Sequence, residues 1–182
     1  MNRNYTRRDI LDARAFAARM HSGQQRKCGE APYMLHIEGV VRYAGEAGLG
    51  ELEITAAYLH DLLEKSEASY EELSARFGSP AADLVAELSN DREMLQQMGK
   101  KEYLTYKMHR MGPSAFTLKL CDIMDNAAWA LSRCTPQRKA TALENYRYIL
   151  ENLPPERLTG VNAELARRIR AMLEGEREEA RS

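Results

Sequence analysis

The segment Ile54-Thr55-Ala56-Ala57-Tyr58-Leu59-His60-Asp61-Leu62-Leu63-Glu64-Lys65 sets an adjacent histidine and aspartate inside an otherwise apolar run. No glycine or proline interrupts it, and Ile54, Ala57, Tyr58 and Leu62 recur at helical spacing. That periodicity predicts one helix from about Glu51 to Glu64 with a buried stripe. Burying an ionised carboxylate among such neighbours costs several kcal/mol unless a metal or a partner compensates it. The His60-Asp61 pair is therefore an anomaly that asks for a ligand.

Two further anomalies of the same kind lie on either side. His36 sits between Leu35 and Ile37, just after Pro32-Tyr33, and Asp122 lies within the apolar run Phe116 to Met124. Two imidazoles and two carboxylates suit a divalent first-row ion such as manganese, iron or zinc. Adjacent residues cannot act as a helical i, i+4 ligand pair does, so neighbouring helices must bring the other donors to meet them.

The rest of the chain reads as helix. Ile10, Ala13, Phe16, Ala17 and Met20 form one apolar face, which Gly23 ends before a basic loop from Gln24 to Glu30. Pro32 is expected to open a helix carrying Tyr33, Ile37, Val40, Val41 and Ala44 inward. Ser69 with Glu72 resembles a capping box for a short helix through Phe77, and Pro80 suits the start of the next. Asn90-Asp91 breaks the pattern. Lys100 to Arg110 is expected to be helical, and Ser114 to cap a long helix containing Leu118, Leu120 and Ile123. Thr135-Pro136 starts another, and Pro154-Pro155 precedes a last helix, 155–174, with a charged tail, 175–182, expected to fray. No strand alternation appears. The expectation is an all-α bundle forming a single domain over 1–182.

Composition agrees with a soluble globular protein: 44% of the 182 residues are hydrophobic and 29% charged. A net charge of -1 provides no basic field for nucleic acid, and no apolar run approaches the roughly 20 residues of a membrane span. The first residues lack a signal-peptide stretch. Cys28, Cys121 and Cys134 contain no CxxC pair, so reduced, packing cysteines in a cytoplasmic protein are expected.

The order His36, His60-Asp61, Asp122 resembles the HD superfamily of phosphohydrolases, and in particular the Rel/SpoT-type hydrolase domain with the small stand-alone Mesh-type hydrolases. The resemblance is carried by Ala13 to His21, Gly23-Gln24-Gln25-Arg26-Lys27-Cys28-Gly29-Glu30, Pro32-Tyr33, Ala56 to Glu64 and Tyr70 to Asp91. Lys119-Leu120-Cys121-Asp122 with Asn126 closes it, and the blocks span roughly residues 10 to 150 in order. It implies a compact HD-domain bundle and a manganese-dependent removal of pyrophosphate from the ribose 3′ position of guanosine tetra- or pentaphosphate. On it, His36, His60, Asp61 and Asp122 become metal ligands. Glu64 resembles the first acid of a Glu-Asp pair that orients or deprotonates water, with Asn126 helping to position water or ligand. Arg26 and Lys27 match a basic pair beside the nucleotide, and Lys119 supports a phosphate or a ligand carboxylate.

Three departures stand out. Lys65 replaces the second acid, where it can lower the pKa of Glu64 or bind substrate phosphate directly. Ala127-Ala128-Trp129 replaces a more polar segment, and Ala31 is an extra residue before Pro32. Two alternatives stay open for that reason. One is the same machinery acting on a nucleoside monophosphate or nicotinamide dinucleotide phosphate. The other is a nucleotide-binding regulatory module with feeble turnover. A small phosphorylated nucleotide is the expected partner in each case, with neither nucleic acid nor membrane; the oligomeric state stays open.

Overall fold

The computed structural model describes residues 3–179. Among them it contains helices and no strand, beyond one isolated antiparallel bridge between Gln25 and Pro32. The all-α expectation holds. The helices fall into two compact units, one made of the residues through Arg26 with Ala31–Asn90, the other of Lys27–Glu30 with Asp91 onward.

The first unit holds α1 (Arg7–Met20), α2 (Met34–Glu46), α3 (Glu51–Leu59), α4 (Leu62–Lys65), α5 (Tyr70–Phe77) and α6 (Ser79–Leu88). α1 starts where the Asp9 carboxylate accepts from the Thr6 amide and hydroxyl, at 2.9 and 2.8 Å. α5 starts where Ser69 Oγ accepts from the Glu72 amide at 3.1 Å, the N-cap expected there. α3 packs against α1, α2 and α6. Its fully buried Ala56 and Ala57 permit that close approach on several sides, with Leu59 and Leu62 completing the core. Phe16 meets Phe77 edge to face, with ring centroids 5.5 Å apart, an arrangement the ring quadrupoles favour.

Two expectations about this unit need correction. The helix predicted through Glu64 breaks at His60-Asp61 into α3 and α4. The His60 ring takes the Ala57 carbonyl at 2.8 Å, the acceptor that the Asp61 amide would meet in a continuous helix. Pro32 does not open α2, which begins at Met34. Instead, Arg26 N donates to Ala31 O and Tyr33 N donates to Gln24 O, both at 2.9 Å, so the basic loop is drawn into a hairpin-like clamp that consumes Pro32.

The second unit holds α7 (Arg92–Met98), α8 (Lys100–Arg110), α9 (Pro113–Arg133), α10 (Pro136–Glu151), a single 3-10 turn (Pro155–Arg157) and α11 (Gly160–Glu179). α7, absent from the sequence expectation, is started by Asp91, whose carboxylate accepts from the Met94 amide at 3.0 Å. Gly112, not Ser114, caps α9, with Pro113 at its first position, where a missing N–H costs nothing. α9 packs on α10 and α11, burying Phe116, Leu118, Leu120 and Ile123. α11 runs past the expected end at 174 through Glu179, and the remainder of the charged tail lies outside the described residues. No helix among the described residues is long and apolar enough to cross a membrane.

Cys28 and Cys134 form a disulfide, with Cα atoms 4.8 Å apart, where reduced cysteines were expected. The bridge joins the Lys27–Glu30 loop to the residue after α9, and Trp129 Nε1 donates to Lys27 O at 2.8 Å beside it. A separation of 106 residues carries no local spacing signal, which is why the pair was missed. Cys121 is the buried packing thiol that was expected.

Candidate functional site

Three donors converge in the first unit. His36 comes from the first turn of α2, while His60 and Asp61 come from the break between α3 and α4. All three are buried, at 2%, 4% and 7% exposure. The two Nε2 atoms lie 3.3 Å apart, and each lies 3.4 Å from Asp61 Oδ2. Donors that share a first-row ion at about 2.0–2.2 Å in a tetrahedral shell stand about 3.4 Å from one another. The triangle therefore fits one face of such a shell.

The surroundings prepare these atoms for that use. His60 Nδ1 faces the Ala57 carbonyl, which requires a proton on Nδ1 and makes Nε2 the ring atom turned toward His36 and Asp61. The break in the helix thus has a chemical consequence: it turns the imidazole and the carboxylate of adjacent residues toward one point. Burial works against the Asp61 charge. His60, hydrogen bonds from His36 and His60, and the Lys65 ammonium outweigh it and hold the carboxyl well below the usual range. Asp61 Oδ2 also accepts from the Tyr33 hydroxyl, and from Lys65 Nζ at 2.8 Å. Lys65 Nζ donates to the Tyr33 oxygen as well.

A ring stack supports the triangle. Tyr33 lies edge-on to His36 and His36 to His60, with centroids 5.4 and 5.2 Å apart, and His21 tilts against Tyr33 at 4.9 Å. His21 Nδ1 lies 2.9 Å from Gln24 Oε1, and Gln24 Nε2 donates to Lys65 O at 2.7 Å. The helix that carries Lys65 is thereby tied to the end of α1. Glu64 turns its carboxylate to Asn90, accepting from its backbone amide at 2.8 Å and its side-chain amide at 3.1 and 3.2 Å.

The remaining expected residues belong to two places. On α9 in the second unit, Lys119 Nζ donates to Asp122 Oδ2 at 2.8 Å and Asn126 Nδ2 donates to Asp122 Oδ1 at 2.6 Å. Their i, i+3 and i+4 spacing from 119 and 122 makes this one helix face. In the basic loop, Arg26 is buried in the first unit, whereas Lys27 is exposed in the second and gives its carbonyl to Trp129. Tyr33, Gln24 and Asn90 are the site residues that sequence reasoning did not single out. Tyr33 had a signal, three residues before His36 in the same turn; Asn90 had none, since it reaches Glu64 across 26 positions.

A model of the HD domain matches residues 13–174 of the chain. The chain belongs to the HD-domain family. Within it, the human protein named guanosine-3′,5′-bis(diphosphate) 3′-pyrophosphohydrolase MESH1 is 35% identical over 131 residues, covering 70% of this chain and 72% of that protein. The Aquifex aeolicus (strain VF5) guanosine-3′,5′-bis(diphosphate) 3′-pyrophosphohydrolase is 35% identical over 127 residues, covering 65% of this chain and 17% of that longer protein. The solved structure of a metazoan SpoT ortholog, described as hydrolysing ppGpp, aligns with a TM-score of 0.83 at 25% identity, over 96% of this chain and 98% of that one. As an HD domain, the chain carries its His-Asp dipeptide at the helix break between α3 and α4.

Proposed function

We propose that this HD domain is a metal-dependent phosphohydrolase that removes the 3′-pyrophosphate of guanosine tetra- or pentaphosphate, with manganese as its ion. The observation that carries the metal reading is the triangle of His36 Nε2, His60 Nε2 and Asp61 Oδ2 with edges of 3.3–3.4 Å. The relatives named for the pyrophosphohydrolase reaction support the substrate. In this reading Asp122 is the fourth ligand. A bound divalent ion supplies a water of lowered pKa and neutralises charge on the attacked phosphoryl group.

The chain's own residues supply the rest. Glu64, held by Asn90, is the acceptor for the proton of the attacking water. Asn126 and Lys119 hold the two oxygens of Asp122, and Asn126 presents its amide beside the water. Arg26, Lys27 and Lys65 are the cations for the phosphates. We place the enzyme in the cytoplasm on the strength of its nucleotide substrate and not of its cysteines, two of which form the Cys28–Cys134 bridge.

Lys65, a cation where the family resemblance has an acid, favours a second reading in which the same site takes another nucleotide. The purified protein, incubated with manganese and a nucleotide panel, separates the two. Guanosine diphosphate with pyrophosphate from guanosine tetraphosphate supports the first. Inorganic phosphate from a nucleoside monophosphate or from nicotinamide dinucleotide phosphate supports the second. Binding of guanosine tetraphosphate with no product from any member of the panel refutes both and leaves a regulatory module.

A further inference from the structure

Asp61 Oδ2 is over-subscribed. It faces both imidazoles at 3.4 Å, accepts from the Tyr33 hydroxyl, and takes the Lys65 ammonium at 2.8 Å. A carboxylate oxygen offers two lone pairs, and a divalent ion at the triangle needs one of them. The ammonium is already a cation on that oxygen, and a second, doubly charged cation a few ångströms away would repel it. Lys65 and the ion therefore make competing claims on one atom.

The placement of Lys65 gives it a way out. It is the last residue of the four-residue α4, its side chain is 42% exposed, and Gln24 holds its backbone carbonyl at 2.7 Å while leaving the four-carbon stem free to turn. Lys119, the other lysine paired with a carboxylate of the expected ligand set, has a side chain only 7% exposed and no comparable room. We propose that Lys65 is a positioning residue for metal loading: an intramolecular cation that holds Asp61 Oδ2 and must leave it before a divalent ion binds. The ammonium that is released turns to the solvent side, where an anionic phosphate group can accept from it. This inference rests on the reading of Asp61 as a metal ligand.

The test is manganese binding by the full chain without nucleotide, followed by calorimetry and by the electron paramagnetic resonance signal of free Mn2+. Lys65→Met keeps the stem and removes the charge; Lys65→Gln is the second variant, and circular dichroism checks that each is folded. Both variants are expected to bind Mn2+ about tenfold more tightly than the unaltered protein, the factor that a hydrogen bond between charged groups is worth. The gain is expected to persist at high salt, because a contact at 2.8 Å is not screened as a distant charge is. Equal or weaker binding by folded variants overturns the inference and leaves the metal site standing, as does a gain that vanishes at high salt. No Mn2+ binding by any of the three proteins overturns the metal reading itself, and undiminished binding by Asp61→Asn overturns the assignment of Asp61 as a ligand.

Discussion

Reducing the Cys28–Cys134 bridge opens a cross-link between positions 106 residues apart. In the chain-entropy treatment, closing a loop of that length removes about 16 cal/mol/K from the unfolded chain, or about 4.8 kcal/mol at 25 °C. Native-state geometry offsets part of this. Cys28 sits at φ 66°, in the left-handed region that costs a non-glycine residue about 1–2 kcal/mol. The Trp129–Lys27 hydrogen bond and the Gln24–Tyr33 clamp hold the loop without the bridge. A net loss of about 2–4 kcal/mol is expected on reduction. Urea denaturation with and without a phosphine reductant measures it, and Cys28→Ser with Cys134→Ser should match the reduced protein. Thiol titration in denaturant reports the starting state: the bridged protein should show Cys121 alone, the reduced protein all three cysteines. Three thiols before any reductant is added, or identical urea midpoints with and without it, would refute the reasoning.

Asn90→Ala removes every hydrogen bond by which Asn90's side chain holds Glu64, so kcat for pyrophosphate release should fall about 10- to 100-fold while the Mn2+ dissociation constant stays within about twofold. Steady-state kinetics beside a metal titration checks this, and a loss confined to metal affinity would count against a role for Asn90 through Glu64. Burial depresses the pKa of His21, partly opposed by its contact with Gln24. The unfolded chain then binds more protons than the folded one between that depressed value and the ordinary one near 6.5, so stability should fall as pH drops through this window. His21→Gln should flatten that part of a urea-midpoint profile, and an unchanged slope would contradict the assignment. Leu59→Ala, at a fully buried position of α3, should cost about 2–5 kcal/mol in the same assay.

How much of this was legible in advance depends on the range of each interaction. His36, His60, Asp61 and Asp122 were visible because each interrupts an apolar helical period with a group that is expensive to bury. The Ser69 cap and the helix punctuation by Gly78 could be read because those signals act within four residues. The break after Leu59 could not: it depends on the His60 ring bonding the Ala57 carbonyl, and periodicity cannot tell which way a ring turns. Lys65 was recognised as a cation out of place, yet its pairing with Asp61 and Tyr33 needed the turn of α4 to be known.

The sequence by itself determined the helical class of the chain and the chemical types of its buried polar groups, because periodicity and local desolvation cost are properties of neighbouring residues. The tertiary structure decided that Asn90 holds Glu64, that His36 meets His60 and Asp61 at one point, and that Cys28 finds Cys134. Those are encounters through space between residues from 24 to 106 positions apart, and only the packing of helices sets such distances.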